Sequence, residues 1–420
     1  MKLNIAIIGI GYVGLPLAVE FAKKFEVVGF DHNKQRINEL KKNIDSNLDI
    51  NSLVIKKSKF LKFSYNSNDI KHCNVFIIAV PTPIYNSKKP NLKFLISACK
   101  MVSDYLKKND VVIFESTVYP GLTEEICCPL LENGSNLIYN KDFFCGYSPE
   151  RINPNDKEHK ITNIVKITSG SNLKTARFVN NLYRQIIPAG TFMVESIKIA
   201  EAAKVIENAQ RDINIAFMNE LVLIFEKLNI NFYKVLKAAK TKWNFLNFEP
   251  GIVGGHCIGV DPYYLTFKTK QTGFDPKIIT AGRKINDNMP NYITKKAINN
   301  CKKNFKNKKK YKFLIMGLSF KENCNDIRNS KSIEIINILK RKNHFIDVFD
   351  PYIKDKKTIK KYKLKSFSNL KFNYYNCVIL LVKHDYFIQK GEKMLKKPLL
   401  INGIFFDIKN IFNNDLNISL

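Results

Sequence analysis

At 420 residues the chain is long enough for two or three domains, and its apolar and charged fractions, 45% and 25%, are those of an ordinary globular protein. Its 68 basic and 37 acidic residues leave a net charge of +31, which favours anionic partners, yet the lysines are scattered rather than packed on one motif, as general compositional drift would leave them. Nine cysteines without paired C-x-x-C spacing argue against a disulfide framework or a zinc site and for reduced, cytoplasmic thiols; no apolar run is long enough for a signal peptide or a membrane span.

Leu3–Ile8 is a short Ile-rich run of the kind that forms a buried strand. It meets Gly9-Ile10-Gly11-Tyr12-Val13-Gly14, and Leu15–Phe25 then has a helical pattern. A second strand, Val27–Phe30, ends at Asp31, about 20 residues after the glycines. Glycine turn, helix and distal acid together make a dinucleotide fingerprint. The turn lets a pyrophosphate approach a helix N-terminus, and Asp31 accepts from ribose hydroxyls, so NAD is expected ahead of NADP. Arg36 tempers that preference.

The alternation continues. Val75–Val80 runs into Pro81-Thr82-Pro83, and Val111–Glu115 into Ser116-Thr117. Ligands of open parallel sheets sit beyond the carboxyl ends of strands, which places Thr82 and Thr117 beside the cofactor. Phe143–Tyr147 leads to Ser148-Pro149-Glu150-Arg151-Ile152-Asn153-Pro154, where an acid and a cation suit a phosphorylated or polyhydroxylated substrate.

From Ser196 to Leu228 the period becomes helical, with Ile199, Ala202, Ala203, Ile206, Ala209, Ile213, Ala216 and Phe217 on one apolar stripe. About 30 residues span about 45 Å, a strut between domains. Lys204, Asn208 and Arg211 share another face, a candidate polar pocket.

Glu249–Tyr264 carries four glycines (Gly251, Gly254, Gly255, Gly259) around His256, Cys257 and Asp261. A thiol in a glycine frame with a carboxylate four positions on is a candidate nucleophile. Ile278–Asn286 reads as a helix bearing Arg283. The lysine-rich Cys301–Lys312 reads as a solvated linker or helix end, without the aromatic pattern of a nucleic-acid surface. Beyond it, strand Phe313–Met316, Gly317, helix Ser330–Lys340, strand Phe345–Phe349 with Asp350, and strand Cys377–Val382 form another α/β unit. The fold class is therefore α/β: two Rossmann-like doubly wound domains joined by a long central helix.

Across nearly the whole chain these residues resemble the UDP-glucose/GDP-mannose dehydrogenase family. The resemblance rests on Gly9–Gly14, Glu115-Ser116-Thr117, Ser148-Pro149-Glu150-Arg151, the Lys204 helix, Gly254-Gly255-His256-Cys257 through Asp261-Pro262, and Gly317–Lys321 with Asp326-Ile327-Arg328. Glu150–Pro154 and Val253–Leu265 look like the branch acting on UDP-N-acetylhexosamines. Pro154 stands where UDP-glucose enzymes carry a second acid, and Asn155 where the branch has Gly. The resemblance implies an NAD domain (1–195), a central helical domain forming a homodimer and carrying the Cys257 loop (196–300), and a UDP-sugar domain (301–420). It implies nucleotide-sugar contacts at Lys321 and Arg283, the latter reaching across the dimer, and a contact near the cofactor at Arg328.

The expected reaction oxidises a C6 hydroxyl to a carboxylate with two NAD reduced in turn. The expected substrate is a UDP-N-acetylhexosamine, UDP-N-acetyl-D-glucosamine first, with its galacto and manno epimers and UDP-glucose as alternatives. Either Lys204 or a water held by Asp261 takes the hydroxyl proton. Cys257 then captures the aldehyde, and water activated by Asp261 or Glu150, positioned by Thr117, hydrolyses the thioester. Lys204 and Asn208 face the oxyanion. Glu150, Arg151, Ile152, Lys204, Asn208, Arg211, Gly254, Arg283 and Lys321 line the substrate. Gly9, Gly11, Tyr12, Val13, Gly14, Asp31, Arg36, Thr82, Thr117 and Arg328 line the cofactor. No metal, nucleic acid or membrane insertion is expected. The rivals are a two-electron hydroxyacid-type dehydrogenase and a binder of nucleic acid or anionic surfaces, separable by NADH yield and by salt-dependent DNA binding.

Overall fold

The computed structural model describes residues 2–45, 50–152, 159–255, 258–414 and 417–420. The chain divides into two compact units, one of residues 1–207 with 263–275 and the other of 208–262 with 276–420.

The first unit is built on apolar runs too continuous for a half-exposed sheet. Strands β1 (Asn4–Ile8), β2 (Glu26–Phe30), β3 (Leu61–Ser64), β4 (Val75–Ile78), β5 (Val111–Phe114), β6 (Phe144–Tyr147), β7 (Lys166–Gly170) and β8 (Thr191–Met193) form one sheet in the order β3-β2-β1-β4-β5-β6-β7-β8. Every pairing is parallel except β6 with β7. Ile5, Ile7, Val75, Ile77, Val111 and Ile113 share a core with Leu15, Phe21, Leu182 and Tyr183 of the Gly14–Phe21 and Leu173–Arg184 helices. The alternate residues Ala6, Phe76 and Val112 are equally buried, so both faces of the sheet are covered, as parallel sheets require.

The second unit repeats the plan with β9 (Lys312–Met316), β10 (Phe345–Phe349), β11 (Tyr375–Leu380) and β12 (Leu399–Asp407), all parallel, in the order β10-β9-β11-β12. Phe313, Ile315, Cys377 and Ile379 pack with Met289, Ile293 and Ala297 of the Lys277–Asn304 helix on one face. Leu314, Met316, Val378 and Leu380 pack with Phe387 and Leu395 on the other. Both units are thus doubly wound, as the sequence predicts.

The long helix runs Ile197–Lys227, residues 197–207 in the first unit and 208–227 in the second. Its buried face differs from the predicted stripe. Ala209 and Ala216 are buried, but Ile199, Ile206 and Phe217 are 45%, 55% and 51% exposed. Glu201, Lys204, Asp212 and Asn219 are buried instead, because each finds a polar partner inside the protein. The Lys277–Asn304 helix outruns the predicted Ile278–Asn286 by continuing through Pro290. Loss of one N–H there is outweighed by the buried line Met289, Ile293, Ala297. The lysines of 302–310 are exposed, on the end of that helix and the turn after it.

Candidate active site

The glycine turn sits between β1 and the Gly14–Phe21 helix, where the sequence puts it. Gly9 has φ +96° and lies so close to Ala79 that a Cβ would be 2.8 Å from its carbonyl oxygen. A Cβ at Gly14 would sit 1.8 Å from the Gly9 oxygen, whereas one at Gly11 would meet nothing within 4 Å. The room at Gly11 is therefore left by the protein, not filled by it. Tyr12 and Val13, both half-buried, complete the turn.

Asp31, just past β2, pins the turn: its Oδ2 accepts the Ile10 N–H at 2.9 Å and its Oδ1 the Asn33 N–H at 2.9 Å. Open space above a positive-φ turn, a helix N-terminus behind it and a fixed carboxylate at the next strand end fit a dinucleotide. Arg36 is 8% exposed; its Nε donates to the Ile10 carbonyl at 3.1 Å and its Nη1 to Asp45 at 2.6 Å. Its charge is matched inside the domain, so it braces the turn from beneath. Sequence reasoning missed Asp45, which has no motif to announce it.

Thr82 and Thr117 stand past β4 and β5, both half-buried. Tyr264 OH donates to the carbonyls of Thr82 (2.9 Å) and Pro83 (3.1 Å), fixing the first of these loops. Glu201 fixes the segment after Thr117, accepting the N–H groups of Gly121 (2.5 Å) and Thr123 (2.9 Å). Burial pushes the Glu201 carboxyl up to about 7.

Beyond β6, Glu150 is 7% exposed, and its Oε1 accepts the N–H groups of Arg151 (2.6 Å) and Ile152 (2.5 Å). Lys204, 7% exposed, donates from Nζ to the Glu150 carbonyl at 2.5 Å. Arg151 bonds Glu207 at 2.8 Å and the Val165 carbonyl at 2.9 Å. The structure thus brings Lys204 to the Glu150-Arg151 turn, whereas the sequence grouped Lys204 with Asn208 and Arg211. Under them lies a buried pair that sequence reasoning passed over, Glu115 with Lys166, 2.5 Å apart.

In the second unit, Asn208 donates to Asp261 Oδ2 at 2.6 Å, and Asp261, 2% exposed, opens the Asp261–Gln271 helix. Arg211 is exposed. Gly254 packs with Asn329, whose carbonyl would lie 2.8 Å from a Cβ there, and Asn329 Oδ/Nδ chemistry continues at Gly255, whose carbonyl takes the Asn329 amide at 3.3 Å. His256, Cys257 and residues 153–155 lie outside the described residues.

Arg283, expected at the substrate, is 3% exposed and paired with Asp212 (2.6 Å) and Asp287 (2.5 Å). Burial raises the Asp212 carboxyl, and Arg283 opposes that rise. Arg328 pairs with Asp326 at 2.6 Å and is half-exposed. Lys321 follows a second glycine turn, in which Gly317 (φ +95°) precedes two N–H groups, of Leu318 and Ser319, bound to Asp350 Oδ2 at 2.7 and 2.9 Å. Asp350 stands after β10 as Asp31 stands after β2. Among the described residues no His/Cys/Asp/Glu group is disposed to hold a metal, and no helix is long and apolar enough to cross a membrane.

A covered parallel sheet, a glycine turn pinned by a distal aspartate and a buried Lys–Glu cluster at neighbouring strand ends define a dinucleotide-dependent dehydrogenase. Sequence profiles give the lineage: the NAD binding domain of the UDP-glucose/GDP-mannose dehydrogenase family matches residues 3–187, its central domain 198–288 and its UDP binding domain 314–414. The chain belongs to the UDP-glucose/GDP-mannose dehydrogenase family, and it is an NAD-dependent nucleotide-sugar dehydrogenase. It is 49% identical over 413 residues to a UDP-N-acetyl-D-glucosamine 6-dehydrogenase of Pseudomonas aeruginosa, covering 98% of each chain. Identity is also 49% over 410 residues to the enzyme of that name from Salmonella typhi, covering 98% of this chain and 96% of that one. The solved UDP-D-ManNAc dehydrogenase of Pyrococcus horikoshii superposes with TM-score 0.88 at 28% identity, covering 97% of this chain and 96% of that one.

Proposed function

We propose that the enzyme oxidises the C6 hydroxyl of UDP-N-acetyl-D-glucosamine to the carboxylate, consuming two NAD⁺ and one water and releasing three protons. The observation that carries this substrate is the 49% identity, over 98% of the chain, to two relatives bearing that activity in their names. The division into an NAD domain (1–195), a central domain (196–300) and a UDP-sugar domain (301–420) follows the order of the three profile matches.

NAD, when bound at the Gly9–Gly14 turn and Asp31, supplies the hydride acceptor for both oxidations. Lys204 or a water held by Asp261 takes the hydroxyl proton. The Cys257 thiolate adds to the C6 aldehyde to give a thiohemiacetal, and at the acyl level the same sulfur holds a thioester. Asp261 or Glu150 removes a proton from the water that opens it, Thr117 positions that water, and Cys257 leaves. Lys204 and Asn208 stabilise the oxyanion. Asn208 is already bonded to Asp261, which supports a shared task for that pair. Lys321, Gly254, Arg211 and Arg151 bind the nucleotide sugar, and Arg283, its side chain held by two aspartates, reaches across the dimer to it.

The chain works as a homodimer. Phe217 and Ile224 on the long helix and Leu228 just past its end, 51%, 43% and 58% exposed, leave an apolar line for a second copy. A cytoplasmic setting is supported by eight described cysteines that are all unpaired and buried.

The test is NADH yield across a panel of UDP-sugars with product mass. Two NADH per UDP-N-acetyl-D-glucosamine and a uronate product are expected; one NADH with released aldehyde overturns the four-electron reading. Cys257→Ala should form no carboxylate, and full turnover by that variant removes the covalent step.

A further inference from the structure

Lys166 begins β7 and has no place in the roles assigned above, yet it is 3% exposed and carries a charge. A buried ammonium must be matched, and three oxygens surround this one. Glu115 Oε2 lies 2.5 Å from its Nζ, the Pro149 carbonyl accepts from it at 3.0 Å, and Glu150 Oε2 lies 3.5 Å away. Glu115, just past β5, also takes the Tyr183 hydroxyl on its other oxygen. The Tyr183 ring lies beneath Lys166, centroid to Nζ 5.4 Å.

The two oxygens of Glu150 are unequal. Oε1 is occupied by the Arg151 and Ile152 N–H groups. Oε2 is buried and accepts no hydrogen bond; Lys166 is the cation beside it. The Pro149–Glu150 backbone is likewise held by two ammonium groups, Lys166 on the first carbonyl and Lys204 on the second. A carboxylate with one oxygen fixed by backbone N–H groups and the other, buried beside Lys166, accepting no hydrogen bond keeps a lone pair for an incoming proton.

We propose that Lys166 is a positioning residue for the dehydrogenase reaction: it aims and electrostatically sets the open oxygen of Glu150 and holds the turn to which Lys204 is bonded, with Glu115 as its counter-charge. This rests on the roles given to Glu150 and Lys204 above. The groups facing Glu115 are Lys166 from β7, Tyr183 from the Leu173–Arg184 helix and Glu150 from the turn after β6. Burial pushes the Glu115 carboxyl up to about 7, against the pull of Lys166. Glu115 therefore gains its proton as pH falls through about 7, and Lys166 then faces Glu150 alone. Neutralising Glu115 permanently removes the change in turnover that its titration near pH 7 produces.

The decisive variant is the double substitution Glu115→Gln with Lys166→Met. It replaces a buried ion pair by neutral groups of similar shape, a change that folds commonly tolerate. Turnover of the best UDP-sugar in the panel should fall about 100-fold, with KM for that sugar within about threefold of wild type and the thermal midpoint little moved. Lys166→Arg should recover turnover to within about tenfold, since it keeps the charge. Glu115→Gln alone should stay active and lose the change in turnover near pH 7. A double variant with wild-type kcat and pH profile overturns the proposal. Glu150→Gln is run beside it: if that variant is inactive while the double is normal, only the positioning role falls. If Glu150→Gln itself turns over normally, the role of Glu150 falls and the positioning role falls with it.

Discussion

Asn219 grips Gly251 in both directions: its Nδ2 donates to the Gly251 carbonyl at 2.9 Å, and its Oδ1 accepts the Gly251 N–H at 2.8 Å. The same Nδ2 reaches Asn286 Oδ1 at 2.8 Å, and Asn286 in turn donates to Asp212. The start of the glycine-rich segment is therefore tied to the long helix through side chains that are 0% exposed. Asn219→Leu would leave a buried N–H, a buried C=O and an amide oxygen unmatched. Each orphan costs about 1–3 kcal/mol, partly relieved by local shifts, so the unfolding free energy should drop by about 3 kcal/mol. Urea unfolding followed by tryptophan or far-UV signal checks this. A variant with the wild-type midpoint would mean that the grip contributes nothing.

The glycine turn separates folding from ligand binding. A methyl group at Gly14 collides with the Gly9 carbonyl, but at Gly11 it meets only open space. Gly11→Ala should melt within about 1 °C of wild type yet lose about tenfold or more in NADH affinity, because the methyl takes room the pyrophosphate needs. Gly14→Ala should be unstable as well as unable to bind. Fluorescence titration with NADH and thermal melts separate the two cases. Unaltered NADH affinity in Gly11→Ala would place the cofactor elsewhere.

Strands β1, β2, β4, β5, β6, β9 and β10 were legible as largely apolar runs ending at a punctuating Gly, Pro, Ser or Asp, and β11 through the unbroken apolar run Cys377–Val382. Strand β7 was not: it opens on Lys166 and continues through Thr168, Ser169 and Gly170, and only its hydrogen-bonded neighbours make such residues a buried strand. The same blindness hid the Glu115–Lys166 pair, since residues 51 apart in sequence share no spacing that a motif could capture. Motif residues Gly9, Asp31, Glu150 and Lys204 were visible through local context. The braces Asp45 on Arg36, Glu201 on Gly121 and Thr123, and Asn219 on Gly251 belong to no motif, and the last two act across 32 to 80 residues of sequence. The apolar stripe of the long helix misled because periodicity reports a face but not what covers it. Ile206 and Phe217 are exposed, while Glu201 and Asn219 are drawn inward by backbone partners.

His384 organises the turn that carries Lys321. Its Nδ1 accepts the Asn323 N–H at 2.9 Å, so the ring proton is on Nε2, which lies 3.1 Å from Ser319 Oγ and 3.4 Å from Asp350 Oδ2. Burial pushes Asp350 up, but His384 and the Ser319 and Leu318 N–H groups outweigh it and hold the carboxyl below its ordinary range. His384→Phe keeps a buried ring but leaves Asn323 N–H and Ser319 without this partner. Loss of about 1.4 kcal/mol of loop order should weaken UDP about tenfold. NADH affinity should stay unchanged, since the His384 bonds to Asn323, Ser319 and Asp350 all lie within the second unit. Calorimetric titration with UDP, paired with NADH fluorescence, decides it; equal UDP affinity in both proteins would remove His384 from that role.

Glu201 gives the stability of this enzyme a defined pH slope. It is 0% exposed and accepts two backbone N–H groups, and burial lifts its carboxyl from the ordinary 4.5 to about 7. Between those values the folded protein retains a proton that the unfolded chain has released. Fewer protons on the unfolded chain mean that stability falls as pH rises through this window, and the stabilisation is complete only below about 4.5. The effect over the whole window is about 3 kcal/mol, and Glu115, also raised to about 7, adds in the same direction. The thermal midpoint should therefore rise by several degrees when pH is lowered from 8 to 6. Glu201→Gln cannot titrate; it should lower stability by a pH-independent amount, because its amide turns a donor toward one of the two N–H groups, and should flatten the profile by the Glu201 share. Melting curves at half-unit intervals from pH 5 to 8 provide the comparison. Parallel profiles for the two proteins would mean that Glu201 is ionised throughout and that its two N–H bonds outweigh its burial.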